Sequence, residues 1–206
     1  MIYYLIPARA GSKGWPGKNR VLFEYTAVTL TDKDNVVVST DDPIVFGKAL
    51  LENYKIIDRP PELAGDNADI IGVINHAVEM IGMKPDDTLV LLYLIHPTRT
   101  REDIDRAIKY FNEKKALSLV CRYEVSHNPY ECINEDGSQV IPHNFYRRQD
   151  FPKCYKFVHY VAIYKVSEIK KLNKLAFNEN TTWLDIEEPI DIDYEEDFKI
   201  AKGEIL

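Results

Sequence analysis

Four cations and three glycines stand together in the twelve residues from Arg9 to Arg20: Arg9, Lys13, Lys18 and Arg20 among Gly11, Gly14 and Gly17. Glycine admits positive φ, so that successive backbone N–H groups can converge on an anion. Arginine forks onto phosphate oxygens, and lysine adds a mobile point charge. The chemistry on offer is the holding of a phosphorylated small molecule. Neither common phosphate fingerprint is present, since Gly11-Ser12-Lys13 lacks the GxxxxGK[ST] spacing and no GxGxxG occurs. A second constellation is Asp191-Ile192-Asp193. On a strand, residues two apart point to one face, so both carboxylates can meet a single hard cation such as magnesium. The plainer readings are a solvated basic turn and solvated strand-end charges. His96 and His159 are candidate contacts or general bases, although a lone histidine is more often structural, and His76 and His143 read as packing or surface.

These residues need a scaffold. Continuous apolar runs at residues 2–6, 36–39, 55–57, 88–94, 117–121 and 160–166 read as buried strands. Between them lie helical segments. Asp42 before Pro43 is an N-cap with proline at the first helical position, opening a helix over 44–53. Ile70, Ile71, Ile74 and Val78 give helical spacing over 68–81. Thr100 with Asp103 forms a capping-box pattern opening a helix to about 114. Residues 188–206 read as a strand carrying the two aspartates, followed by a helix. Alternating strands and helices predict an α/β fold, three layers around a mostly parallel central sheet, in which ligands bind at the carboxyl ends of the strands. The cationic loop follows the first strand directly. Residues 124–156 are polar and turn-rich and read as an excursion from a single domain spanning 1–206.

Composition narrows the classes. Lys plus Arg number 26 against 33 Asp plus Glu, a net charge of −7, which argues against a nucleic-acid-binding surface. Cys121, Cys132 and Cys154 are too few and too scattered for a disulfide framework or zinc site. The apolar N-terminal run is too short for a signal-peptide core and no stretch approaches a membrane span, so a cytoplasmic protein is expected.

The stretch Ile6-Pro7-Ala8-Arg9-Ala10-Gly11-Ser12-Lys13-Gly14-Trp15-Pro16-Gly17-Lys18-Asn19 closely resembles the signature loop of the acylneuraminate cytidylyltransferases, the CMP-sialic acid synthetases. Further matches follow in family order: Val38-Ser39-Thr40-Asp41-Asp42, Arg59-Pro60-Pro61-Glu62-Leu63-Ala64 with Asp66, Pro97 with Arg99-Thr100, His127-Asn128-Pro129-Tyr130, Arg147-Arg148-Gln149-Asp150, Ala162-Ile163-Tyr164, and Ile190-Asp191-Ile192-Asp193. The resemblance covers nearly the whole chain. It implies a Rossmann-like nucleotidyltransferase fold and an enzyme that activates a 2-keto sugar acid with CTP and magnesium, giving a CMP-sugar and pyrophosphate. The triphosphate would be held by Ala8, Arg9, Ala10, Gly11, Ser12, Lys13 and Lys18, with cytosine read by Asn19 and Arg59. Asp191 and Asp193 would hold magnesium, and Arg9, Lys13, Lys18 and the two aspartates would be catalytic. The sugar would be met by Tyr93, Arg148, Gln149, Tyr160 and Tyr164. The family also implies a homodimer, with 124–156 completing the sugar pocket.

The departures fall mainly on the sugar side. Tyr93 stands where the family has a glutamine, and Tyr160-Val161 where it has Asn-Gly, changes large enough to alter which acid fits. Ile70 replaces a small polar residue near the base, and residues 20–35 are shorter than usual. Two alternatives stay open: a catalytically silent nucleotide-binding protein, and a metal-dependent DxD glycosyltransferase.

Overall fold

The computed structural model describes residues 1–203. Seven strands form one sheet in the order β3-β2-β1-β4-β6-β5-β7. They are β1 (Ile2–Ala8), β2 (Val36–Thr40), β3 (Lys55–Asp58), β4 (Thr88–Leu91), β5 (Ser118–Glu124), β6 (Tyr155–Lys165) and β7 (Thr182–Asp185). All pairings are parallel except those of β6, which runs antiparallel to both β4 and β5. The expected α/β fold with a mostly parallel sheet is therefore what the chain adopts.

The strands are buried on both faces. Along β1, Tyr4, Ile6 and Ala8 enter one core with Leu22, Phe23 and Ile104, while Tyr3 and Leu5 enter the other with Ile74 and Tyr164. The period of two sends alternate side chains to opposite faces, and both faces are covered, which is why the strands read as unbroken apolar runs. The first face is covered by α1 (Lys18–Ala27), α2 (Pro43–Leu51), α5 (Arg101–Glu113) and α6 (Glu195–Ala201), and the second by α4 (Ile70–Ile81) and a 3-10 stretch, Val166–Lys171. A single turn, α3 (Pro61–Ala64), lies between β3 and α4.

Helix starts follow local chemistry. Asp42 accepts from the Ile44 and Val45 N–H groups with Pro43 at the first position, and the Thr100–Asp103 capping box is formed. Asp69 caps α4 by accepting from Gly72 N at 2.8 Å.

Three elements differ from expectation. Helix α1 lies where no helix was expected, because its N-cap is Gly17 in the left-handed region (φ 76°), with neither a capping side chain nor an acid in the first turn to announce it. Strand β7 is a short edge partner of β5. The strand expected to carry Asp191 and Asp193 does not form: Ile190–Asp193 belongs to an irregular connector between β7 and α6. Pro189 removes one donor, and the connector is pinned by single contacts, Ile192 N to Ile95 O at 3.0 Å and Ile190 O to His96 Nδ1 at 3.2 Å. The alternation survives without the ladder, since Ile192 is buried and both aspartates are exposed.

Candidate functional site

From β1 the chain proceeds outward through β2 and β3, then returns to place β4 on the other flank of β1. The loops leaving β1 and β4 thus part over a crevice at the carboxyl edge, the topological switch point where α/β sheets bind ligands. A cleft of about 410 Å³ lies there. The β1–α1 loop supplies Arg9, Ser12, Lys13 and Gly14; α1 supplies Lys18 and Asn19; the chain after β3 supplies Arg59 and Asp66; Tyr93 follows β4; and Asp193 comes from the far end of the sequence.

The loop is set by long-range contacts. Ala10 N donates to Asp41 Oδ1 at 2.8 Å, and Asn19 Nδ2 donates to Arg9 O at 2.8 Å. Gly14 lies so close to the connector that a Cβ there would sit 2.6 Å from Asp193 O. Buried Lys18 donates to Ile192 O at 2.6 Å and stands 3.4 Å from Asp193 Oδ1. One lysine at the start of α1 therefore ties the cationic loop to the acidic connector.

Arg9 and Lys13 meet at Asp66. Arg9 Nη1 donates to Gly65 O and Asp66 Oδ1, both at 3.1 Å, and Lys13 Nζ lies 2.9 Å from Asp66 Oδ2. Lys13 and then Arg9 hold the Asp66 carboxyl below the usual range. Asp191 is shifted the other way, raised by partial desolvation and by the neighbouring Asp193 carboxylate. Asp193 lines the cleft and Asp191 does not, but two neighbouring carboxylates of this kind are a donor set that a divalent cation relieves, and magnesium commonly takes only one or two protein carboxylates together with phosphate oxygens. Among the described residues no cluster of three or more His, Cys, Asp or Glu side chains forms a fuller cage.

Arg59 is buried, with Nη2 donating to Ser39 O at 2.8 Å, and burial lowers its pKa to about 10. Its place before a proline turn would have put it on the surface. Ile70 also lines the cleft. Tyr93 is held in the same wall, its ring 5.6 Å from that of His159.

The structure does not gather all the candidates. Arg20 turns away to Asp42, with Nε 2.7 Å from Oδ2. Ala8 is buried at the end of β1, and the Ala10 N–H is engaged by Asp41. Gly11 is absent from the cleft wall. Tyr164 is wholly buried and donates to Ala176 O at 2.9 Å. Tyr160 donates to Asp103 Oδ2 at 2.7 Å and faces a neighbouring cavity of about 460 Å³. Arg148 and Gln149 sit on an exposed 3-10 turn within the excursion. His96 and His159 are both held neutral by burial, with pKa values near 4. Sequence reasoning missed the parts played by Asp41 and Asp66, which meet their partners across 31 and 57 residues, a separation that leaves no local signal.

A parallel sheet with one reversed strand and a cationic loop at its switch point defines a nucleotidyltransferase-type fold. No family model matches the chain. The structure of CMP:2-keto-3-deoxy-manno-octonic acid synthetase, solved with CTP, superposes with a TM-score of 0.68, covering 98% of this chain and 97% of that one at 16% identity. In sequence, the chain is 32% identical to post-translational flagellin modification protein B of Campylobacter coli, over 96% of this chain and 92% of that protein. It is 26% identical to the N-acylneuraminate cytidylyltransferase of Streptococcus agalactiae serotype V over 73% of its own length, a match spanning 40% of that longer enzyme. The chain belongs to the acylneuraminate cytidylyltransferase family.

Proposed function

We propose that this chain transfers the cytidylyl group of CTP to a 2-keto sugar acid of the sialic-acid class. The anomeric hydroxyl of the acid attacks the α-phosphorus, the bond to pyrophosphate breaks, and the hydroxyl proton is lost to solvent. The observation that carries this reading is the convergence of Arg9, Lys13, Lys18, Arg59 and Asp193 on one cleft. In this reading Arg9, Ser12, Lys13 and Lys18 hold the triphosphate, and Asn19 and Arg59 read the base. The reaction demands positioning and charge neutralisation more than covalent catalysis, which suits such a set. Asp191 and Asp193 would hold magnesium, which when bound would offset the charge of the phosphates.

Tyr93 is the sugar-side residue that this chain itself brings to the cleft. Arg148 and Gln149 would come from the excursion, and a homodimer would let one copy present them to its partner. What favours dimerisation is a half-buried aromatic knot, Tyr130 against His143, Phe145 and Phe151, flanked by exposed Ile133, Val140 and Tyr146. Exposed apolar clusters of this kind mark contact surfaces. Tyr160 and Tyr164 would support the wall from behind.

The test is pyrophosphate release from CTP and Mg²⁺ with a panel containing N-acetylneuraminate, its deaminated form, pseudaminate, legionaminate and 3-deoxy-manno-octulosonate. Release with at least one acid is expected, with markedly less from GTP or ATP. Nucleotide binding without release for any acid would leave a silent binder instead.

A further inference from the structure

We infer that Asp66 is a built-in stand-in for phosphate, a carboxylate that must leave Arg9 and Lys13 before a polyphosphate can take them. The inference rests on the reading of the β1–α1 loop as the polyphosphate site. Asp66 spends its two oxygens on two different cations, Oδ1 on Arg9 at 3.1 Å and Oδ2 on Lys13 at 2.9 Å, which is how a phosphate group would bridge them. The contact is not forced by local geometry, because Asp66 lies between α3 and α4, 57 residues from Arg9. The same segment adds the Gly65 carbonyl to the Arg9 guanidinium at 3.1 Å, so that the loop and segment 62–69 close on each other across the cleft. The other acids of the cleft are placed differently. Asp193 stands 3.4 Å from Lys18, whose closer partner is a backbone carbonyl, and Asp69 caps α4.

The consequence follows from linkage. A ligand can shift an equilibrium only by what it gains in one state over the other, and a ligand that needs both cations bears the cost of releasing Asp66. That cost is common to every ligand that takes the pair. Asp66 therefore lowers the affinity for the nucleotide triphosphate and for pyrophosphate by one factor. The triphosphate, with its reach to Lys18 and its base, can offset the loss, and the product cannot. The residue thus determines which phosphate compounds are held at working concentrations and favours product release.

The experiment titrates inorganic tripolyphosphate, pyrophosphate and CTP into the wild-type chain, Asp66→Asn and Glu62→Gln by calorimetry. Glu62→Gln removes the same charge from the same segment without touching the pair. Hydrogen exchange of residues 62–69 is followed with and without tripolyphosphate. Asp66→Asn is expected to tighten all three ligands by about tenfold, the scale of two exposed charge-assisted contacts, and Glu62→Gln by less than about twofold. Exchange in 62–69 is expected to rise when tripolyphosphate binds the wild-type chain. Equal effects of the two variants, a loss of affinity in Asp66→Asn, added protection of 62–69, or no tripolyphosphate binding by either chain would each overturn the inference. Should tripolyphosphate behave as expected while CTP binds no better than tripolyphosphate and no cytidylyl transfer occurs, the Asp66 inference stands and the cytidylyltransferase reading falls.

Discussion

Asp193 is the acid that both lines the cleft and lies near Lys18, yet its own side chain is 71% exposed, so its removal costs the fold little. Asp193→Asn is expected to lower turnover by roughly a hundredfold, the usual scale for losing one group that stabilises developing charge. The melting temperature should stay within a few degrees of wild type, and retained turnover would remove Asp193 from the chemistry. His96 acts differently. It is 1% exposed, its Nε2 has no hydrogen-bond partner among the described residues, and burial, followed by the smaller repulsion of Arg99, outweighs the Ile190 carbonyl to push its pKa down to about 4. An unfolded histidine takes its proton near 6.5. Between these values the unfolded chain binds the extra proton, so the stability from neutral His96 is complete above about pH 6.5 and is lost as pH falls toward 4. The contribution is on the order of 3 kcal/mol. His96→Gln, compared with wild type by urea unfolding across pH 4–7, should flatten this slope; parallel curves would disprove it.

At the scale of elements, the cationic loop and the β7–α6 connector work as one unit because Gly14 lets them touch. Gly14→Ala would place a Cβ 2.6 Å from Asp193 O, so either the loop or the connector must shift. The expected result is a CTP affinity weakened about tenfold or more with helical content unchanged, since displacements of this size upset bound geometry. Gly11→Ala, where a Cβ meets nothing within 4 Å, is the matched control and should bind nearly as wild type. Arg99 joins other elements. Its Nη1 donates to Tyr160 O at 2.7 Å, and its Nη2 donates to Tyr93 O and Thr26 Oγ1, both at 2.9 Å. One wholly buried guanidinium thus couples the loop after β4, strand β6 and helix α1. Arg99→Met keeps the volume but removes the donor from the buried Tyr160 carbonyl and the part-buried Tyr93 carbonyl, and should cost about 2–4 kcal/mol of unfolding free energy. A loss under about 1 kcal/mol would show that these carbonyls find other donors.

Across the whole molecule, the net charge of −7 and the cationic cleft serve one purpose. An acidic background confines favourable potential for an anionic substrate to the mouth of the sheet. Within the cleft the balance is closer than the sequence suggests, because Arg20 is committed to Asp42 while Arg9 and Lys13 share Asp66. The excursion carries its aromatic knot outside the two cores. If that knot is a dimer surface, Tyr146→Glu, at a residue 96% exposed, should turn a dimer into a monomer in light scattering without lowering the melting temperature of the monomer. The described helices include none long and apolar enough to cross a membrane.

Much of the scaffold was legible in the sequence. The Asp42–Pro43 and Thr100–Asp103 caps, the buried strands and the loop after β1 are decided within four or five residues, where hydrogen bonds and side-chain periodicity act. Helix α1 escaped because its start depends on a left-handed glycine rather than a capping side chain. The tertiary structure alone decided which cations face the cleft, that Arg59 is buried, and that the two aspartates sit on an irregular connector instead of a strand. Those outcomes rest on pairings such as Lys18 with Asp193, 175 residues apart, and Arg9 with Asp66, 57 apart. Charge alone offers many equivalent partners, and only the order of strands in the sheet selects among them.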